Sequence, residues 1–371
     1  MRDYHQMVPE TPAVLIDKNQ ARKNLIKMAA EVKQYGCTIR PHAKTHKISE
    51  LGRLQIECGG VGLCCAKVSE AEAMADGGAT DIFIAYPMVG DFRIIRAAAL
   101  AKRIRLILAV DSEEGASALS HWGKRLDMTF EVRIEIDTGL KRTGVKQDHA
   151  VELAQHVAAL PNLHLTGIFA YRSLTYNGEA TGDCCAAGRQ EGEQLVANAQ
   201  KIRAAGIPIQ DVSGGSTPTS KWVASVPGIT EVRPGTHTLN DYTCMVKTGC
   251  ALDEIAAVLV MTVVSTPEPG YAVVDGGSKA LATDFPLYDK RGKPEYAYGF
   301  DHPDLVVNRV YEEHGMICNQ KGGPTGLQVG DRIAVVPAHI CTSINLYNYA
   351  YLYDTDGIVR KVAIDGRGQL Q

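Results

Sequence analysis

The sequence predicts an α/β protein, a TIM-type (β/α)8 barrel over residues 11–240 followed by a C-terminal β domain over residues 241–371. Two observations carry this expectation. Through the first two thirds, short runs rich in β-branched residues alternate with longer amphipathic stretches, a pattern of parallel strands joined by right-handed crossovers. After Asp241 helical periodicity nearly vanishes, and Val- and Ile-rich segments recur with turns between them. A chain of 371 residues also suits two domains better than one.

In chain order, strand candidates fall at residues 13–16, 38–40, 61–65, 82–86, 105–110, 132–136, 163–170 and 209–213. Helical patterns lie between them. Residues 21–35 place Leu25, Met28, Ala29 and Val32 on one stripe, and residues 187–205 form a second long helix. Asp17 suits the N-cap of the first helix and Ser69 that of the helix near Ala71. Such a series of units suits a closed barrel. An open doubly wound sheet is the alternative, weakened because neither a Walker A motif nor a GxGxxG after the first strand is present. In the second part, strands are expected at 255–265, 271–274, 304–311, 332–336 and 357–363, with 288–298 as a polar surface loop.

Composition excludes several classes. The chain is 45% hydrophobic and 22% charged with a net charge of −3, so it is globular in make-up and has no basic tract for nucleic acid or a charged membrane surface. No apolar stretch approaches the ~20 residues of a membrane span. The N-terminus lacks the apolar core of a secretory signal. The 10 cysteines are scattered or adjacent, without CxxC spacing, which points to reduced thiols in a cytoplasm.

In a β/α barrel, functional groups gather at the C-terminal ends of the strands. Arg40-Pro41-His42-Ala43-Lys44-Thr45-His46-Lys47 follows the second strand candidate, and a lysine neutral part of the time can form a Schiff base with a carbonyl. Asp137 and Arg142 follow another strand, and Tyr171 and Tyr176 a third. Ser213-Gly214-Gly215-Ser216-Thr217 is a candidate phosphate cradle, in which glycines admit the backbone while amides and hydroxyls donate. Arg233-Pro234-Gly235-Thr236 offers a second donor set. A lysine, an arginine, tyrosines and a phosphate cradle on one rim suit pyridoxal 5′-phosphate. Near the C-terminus, His339 and Cys341 lie two apart. On a strand they face one side, and imidazole with thiolate suits zinc, with water or substrate completing the shell.

Seven ordered motifs now stand together: Arg40 to Lys47, Asp137-Thr138-Gly139 with Arg142 and Gly144, Ser213 to Thr219, Arg233 to Thr236, Asp275-x-Gly277-x-Lys279-Ala280-Leu281, Glu312-Glu313-His314-Gly315, and His339-x-Cys341. This set resembles the D-serine dehydratase/D-threonine aldolase family of alanine-racemase-like pyridoxal-phosphate enzymes, from Thr11 to Leu346. The resemblance implies a barrel followed by a β domain that residues 1–10 join, through 4–7, and a homodimer. It implies that Lys44 carries the cofactor, with Arg142 near the pyridine ring or its phenolic oxygen and Tyr171 at its border. The expected cofactor-binding set is His42, Lys44, Arg142, Tyr171, Ser213, Gly214, Gly215, Ser216, Thr217, Arg233, Gly235 and Thr236. His339 and Cys341 are expected to bind a divalent ion beside the substrate's β-hydroxyl, zinc in the dehydratase branch, with manganese or magnesium as alternatives.

The implied activity is that of a lyase on a small D-β-hydroxy-α-amino acid, releasing water, ammonia and a keto acid. Retro-aldol cleavage to glycine and an aldehyde is the alternative, with racemisation behind it; a binding protein without catalysis and an oxidoreductase are the remote readings. The His-x-Cys pair resembles the dehydratase branch, since aldolases of the family pair the histidine with aspartate. Those aldolases also carry a histidine where this chain has Asn177. Two departures stand out: Leu174 replaces a usual histidine, and His237 a usual tyrosine.

Overall fold

The computed structural model describes residues 7–371, so the expectation placed on residues 1–6 lies outside them. The chain divides into two compact units. The barrel unit comprises Leu25–Lys44, Ser49–Gly235 and Gln369–Gln371; the β unit takes the stretch up to Asn24, Thr45–Ile48 and Thr236–Gly368.

Apart from the two-residue strands Val145–Lys146, Thr175–Tyr176 and Glu179–Ala180, the first part of the chain holds β1 (Ala13–Asp17), β2 (Thr38–Ile39), β3 (Leu63–Cys65), β4 (Asp81–Pro87), β5 (Arg105–Val110), β6 (Phe130–Asp137), β7 (Leu163–Phe169), β8 (Asp211–Gly214) and β9 (Glu231–Val232). In the barrel unit the parallel order is β2-β9-β8-β7-β6-β5-β4-β3. The two ends are tied together by Val61 N–H donating to Ile39 O and Cys64 N–H to Pro41 O, both at 2.9 Å. The result is a TIM-like ring of eight strands.

The alternation within β6 shows how it is built. Phe130, Val132, Ile134 and Ile136 pack outward into the large apolar cluster shared with the helices, while Arg133 and Glu135 point to the other face. That inner face holds only a small apolar set, Cys64, Phe83, Ile107, Ala109 and Phe169. The rest is an ion network. Glu231 accepts from Arg40 Nε at 2.8 Å, from Arg133 Nη1 at 2.6 Å and from Ser213 Oγ at 2.7 Å. Arg40 also pairs with Asp81, and Arg133 with Asp211. Burial alone would raise the Glu231 pKa, but the Arg133 and Arg40 charges outweigh it and hold the carboxyl well below the usual range.

The β unit contains β1 with β10 (Ala257–Glu268), β11 (Tyr271–Val274), β12 (Ala297–Gly299), β13 (Leu305–Val310), β14 (Gly315–Asn319), β15 (Arg332–Pro337), β16 (Tyr349–Tyr353) and β17 (Val359–Ala363). The ring β10-β11-β14-β13-β12-β15 closes on β10 with antiparallel pairs throughout. β1 extends it, antiparallel to β10 and parallel to β16. Its core includes Leu15, Val258, Val260, Val336 and Tyr351.

Four expectations need correction. The segment at 13–16, assigned to the barrel, pairs in the β unit instead; its uninterrupted burial fits either kind of sheet, so periodicity cannot choose. The barrel's remaining strand is Glu231–Val232, two residues and too short to leave a period. The supposed loop at 288–298 holds short strands, Leu287–Tyr288 paired with Pro294–Glu295, and the start of β12. Ser69 is not a cap: the helix Val68–Asp76 is preceded by Lys67, and Ser69 Oγ donates to Gln371 O at 3.0 Å. Asp17 does cap its helix, accepting from Gln20 N–H at 2.9 Å. All ten cysteines are free, and no helix of the described residues is long and apolar enough to cross a membrane.

Replacing Glu231 by Gln leaves two buried guanidinium groups short of a counter-charge. We expect a loss of about 3–5 kcal/mol in denaturant unfolding. The folded pKa is depressed, so this stabilisation is complete above the unfolded value of about 4.3 and is lost as the pH falls below it. Glu231→Gln therefore flattens the acid limb of the stability–pH curve, and an unchanged acid limb contradicts the assignment.

Candidate active site

Lys44 sits in a single 3-10 turn, Ala43–Thr45, beyond the end of β2. His42 holds the turn's base: its N–H donates to Pro234 O at 2.9 Å, and its Nδ1 accepts the Lys44 backbone N–H at 3.3 Å. The Lys44 ammonium lies 5.3 Å from the centroid of the Tyr171 ring, which follows β7. No carboxylate among the described residues lies within ion-pair distance of it. Arg142 approaches the same ring, its guanidinium carbon 4.8 Å from the centroid. Three side chains widely separated in sequence thus meet around one aromatic ring.

The loop presenting Arg142 is braced by carboxylates. Asp137 Oδ1 accepts from Gly139 N–H at 2.8 Å and Lys141 N–H at 3.1 Å. Thr143 Oγ1 donates to Glu135 Oε1 at 2.9 Å, and Gly144 N–H to Asp111 Oδ2 at 3.2 Å. Glu135 is buried, and desolvation raises its pKa against the opposing effects of Thr143 and Arg142.

The cradle leaves β8 through Gly214 and Gly215. Gly215 has φ +80°, a left-handed conformation that favours glycine. A side chain on Gly214 would come within 2.8 Å of Leu195. Gly215 N–H donates to Glu191 Oε1 at 3.0 Å. Ser216 N–H donates to Thr219 Oγ1 at 2.9 Å, and Thr217 stands at the bend. Burial pushes the Glu191 carboxyl up to about 7, against the Gly215 amide and the Arg233 and Arg172 charges.

Not every expected residue points the same way. Arg233 and Ser213 turn into the barrel: Arg233 donates to Ser213 Oγ at 2.5 Å and to Ala170 O at 2.7 Å, beneath the loops. Gly235 closes the barrel segment, and Thr236 belongs to the β unit, its hydroxyl 3.6 Å from Cys341 Sγ. His237 is buried, and desolvation, with His46 nearby, lowers its pKa to about 3, so it stays neutral.

The His339–Cys341 pair arises differently from the strand geometry expected. β15 ends at Pro337, His339 is the N-cap of a short helix, Ile340–Ile344, and Cys341 lies in its first turn. Burial opposes ionisation of both, yet their mutual attraction prevails: the imidazole pKa rises to about 9 and the thiol falls below its ordinary value. Cys341 Sγ also donates to Thr45 Oγ1 at 3.3 Å. No group of three or more His, Cys, Asp or Glu among the described residues is arranged to hold a metal.

Sequence reading missed Arg172. It is buried after Tyr171 and donates to the side-chain oxygens of Gln190 and, at 2.8 Å, Gln194, and to Thr175 O at 2.8 Å. Gln190 also accepts Asn177 N–H at 3.0 Å. The turn 172–178, with positive φ at Ser173 and Asn177, is thus pinned to the helix Cys184–Ala204. Only the departure from the family pattern at this stretch hinted at it.

The alanine racemase N-terminal domain matches residues 16–242 and the serine dehydratase domain residues 256–353. The chain is 30% identical to D-threo-3-hydroxyaspartate dehydratase of a Delftia species, over 90% of this chain and 91% of that one. It is 28% identical to D-threonine aldolase of an Arthrobacter species, over 97% and 93%. The solved D-threonine aldolase of Filomicrobium marinum superposes with a TM-score of 0.88 at 29% identity, covering 98% of this chain and 97% of that one. A D-threo-3-hydroxyaspartate dehydratase carrying a cysteine-to-alanine change, in the metal-free form, superposes with a TM-score of 0.85 at 27% identity, covering 96% and 98%.

Arg172→Ala removes three bonds that anchor the turn after Tyr171 and leaves the Gln194 oxygen without its donor. With about 1–3 kcal/mol at stake locally, amide exchange over residues 172–181 should rise about tenfold or more. Exchange in β5 and β6 should not change. Equal protection of 172–181 in both proteins would rule out this anchoring.

Proposed function

The chain belongs to the alanine racemase N-terminal domain family, and from that premise we propose that it is a pyridoxal 5′-phosphate-dependent lyase that dehydrates a D-β-hydroxy-α-amino acid. The observation that carries the reading is the meeting of Lys44 and Arg142 on the Tyr171 ring at the C-terminal ends of barrel strands. The residues fit the cofactor's chemistry. Lys44 supplies an amine without a carboxylate partner, Arg142 a cation for an oxygen on the ring, and Gly214 to Thr217 a loop with little side-chain bulk for phosphate. Gly235 and Thr236 complete this set, with His42, Ser213 and Arg233 as its support.

Pyridoxal phosphate on Lys44 supplies an electron sink that stabilises negative charge at a substrate's α-carbon. Lys44 would hold the cofactor and serve as the base that removes the α-proton. Tyr171 would border the cofactor, and Arg142, over the same ring, would supply a cation near the pyridine or its phenolic oxygen. His339 and Cys341 would hold a divalent ion, zinc, or manganese or magnesium in its place, which would polarise the β-hydroxyl as it leaves. The donor set supports this: a thiol with a lowered pKa beside an imidazole. So does the metal-free cysteine variant of the related dehydratase. A homodimer and a cytoplasmic location belong to the same proposal.

One observation favours retro-aldol cleavage as a second reading, the likeness to D-threonine aldolase across the whole chain. Against it, Asn177 offers no base for a hydroxyl proton where aldolases of the family carry a histidine.

We expect Lys44→Ala to abolish both the cofactor's imine absorbance and turnover. Incubating the wild-type protein with D-serine, D-threonine and D-threo-3-hydroxyaspartate should yield keto acid and ammonia. Glycine with an aldehyde would establish the aldolase reading, and inverted amino acid alone a racemase.

A further inference from the structure

The β unit carries one carboxylate that neither motif nor fold assigns. Asp284 lies in the connection between the short helix Ser278–Leu281 and the strand Leu287–Tyr288, far in sequence from His339. Its Oδ2 is 2.8 Å from His339 Nδ1. Its Oδ1 accepts from Thr342 Oγ1 at 2.7 Å. Thr342 belongs to the same helical turn as Cys341, and its hydroxyl also lies 3.2 Å from His339 O. Ser343 Oγ donates to Leu281 O, tying the helix to the start of the same connection. The Phe285 ring packs against the imidazole, centroids 6.2 Å apart at 67°. The imidazole is therefore gripped by its Nδ1 edge and by its neighbour's ring.

We propose that Asp284 is the positioning residue of the His339–Cys341 pair, holding the imidazole by Nδ1 so that Nε2 is the nitrogen offered, with the Cys341 sulfur, to a divalent cation. This rests on the reading of that pair as a metal site. An imidazole has two ring nitrogens, and the partner of one decides which remains for a ligand. A carboxylate on the distal nitrogen fixes the ring's orientation and raises its basicity toward a metal. Both Asp284 oxygens are engaged, one by His339 and one by Thr342, so its place is behind the histidine rather than in the coordination shell. Thr342 in turn orients Asp284, which makes the series Thr342, Asp284, His339 a chain of supports built from one short helix and one loop.

The test is zinc affinity of the cofactor-loaded protein, measured by competition with a chromophoric chelator, for the wild type and for Asp284→Ala, Asp284→Asn and His339→Ala. Asp284→Ala should bind zinc about 10–100-fold more weakly. Asp284→Asn, whose amide oxygen can still accept from Nδ1–H, should recover part of that loss. His339→Ala should lose the site. With Co2+ at saturation, Asp284→Ala should keep the thiolate-to-metal absorption that Cys341 provides, which a collapsed site would not. Wild-type affinity in both Asp284 variants overturns this inference and leaves the metal reading standing. Equal zinc binding by the wild type and His339→Ala overturns the metal reading itself. If Asp284→Ala fails to fold, Asp284→Asn decides alone: wild-type affinity there with wild-type response to pH counts against the carboxylate, and a reduced affinity supports it.

Discussion

The buried carboxylate of Glu231, clasped between Arg40 and Arg133, is the constraint on which the barrel's site depends. Its three partners come from the segment after β2, from β6 and from β8, and each of those segments runs on within a few residues into the rim. Arg40 precedes Lys44 by one turn of chain, Arg133 leads into the loop from Asp137 to Gly144, and Ser213 opens the cradle. Buried ion pairs seldom add net stability over well-packed apolar residues. Their value here is register. A one-residue slip of any of these strands would move its charge from the network into the apolar shell around Ile134 and Val232, where nothing could compensate it. The network therefore sets the height at which each rim residue emerges.

Much of this could be read from the sequence, and the reasons for success and failure differ. The barrel strands β4 to β7 were legible because outward-facing apolar residues alternate with inward ones over five or more positions, or run continuously where both faces are buried. β9 was not, because two residues carry no period; only the motif from Arg233 onward marked its end. β1 was found as a strand and misplaced as to sheet, since pairing with β10 and β16 is a property of residues hundreds of positions away. His339 and Cys341 were singled out on strand spacing, whereas a cap followed by a helical turn brings them together. Spacing of two is compatible with both geometries, so the right pair was reached through the wrong conformation.

Residues that position others stayed hidden. Arg172, Gln190, Glu191 and Asp284 belong to no motif and act through contacts that only the folded chain creates. The motif residues touch the place where chemistry is expected, so residue type betrays them. A supporting residue needs only the right polar atom at the right distance, and many residue types in many positions would satisfy that equally well in the sequence.

The turn after Tyr171 shows how such support bears on reaction type. Its polar capacity is directed inward: Arg172 is spent on Gln190, Gln194 and Thr175, and Asn177 on Gln190. Leu174 presents no titratable group at all. A retro-aldol step requires a base at the β-hydroxyl, to take the proton as the carbon–carbon bond opens. An elimination requires the opposite, a base at the α-carbon and an electrophile at the departing oxygen. The turn after Tyr171 carries neither a histidine nor a carboxylate. The proposed elimination takes its base from Lys44 and would take its electrophile from the cation proposed at Cys341 and His339.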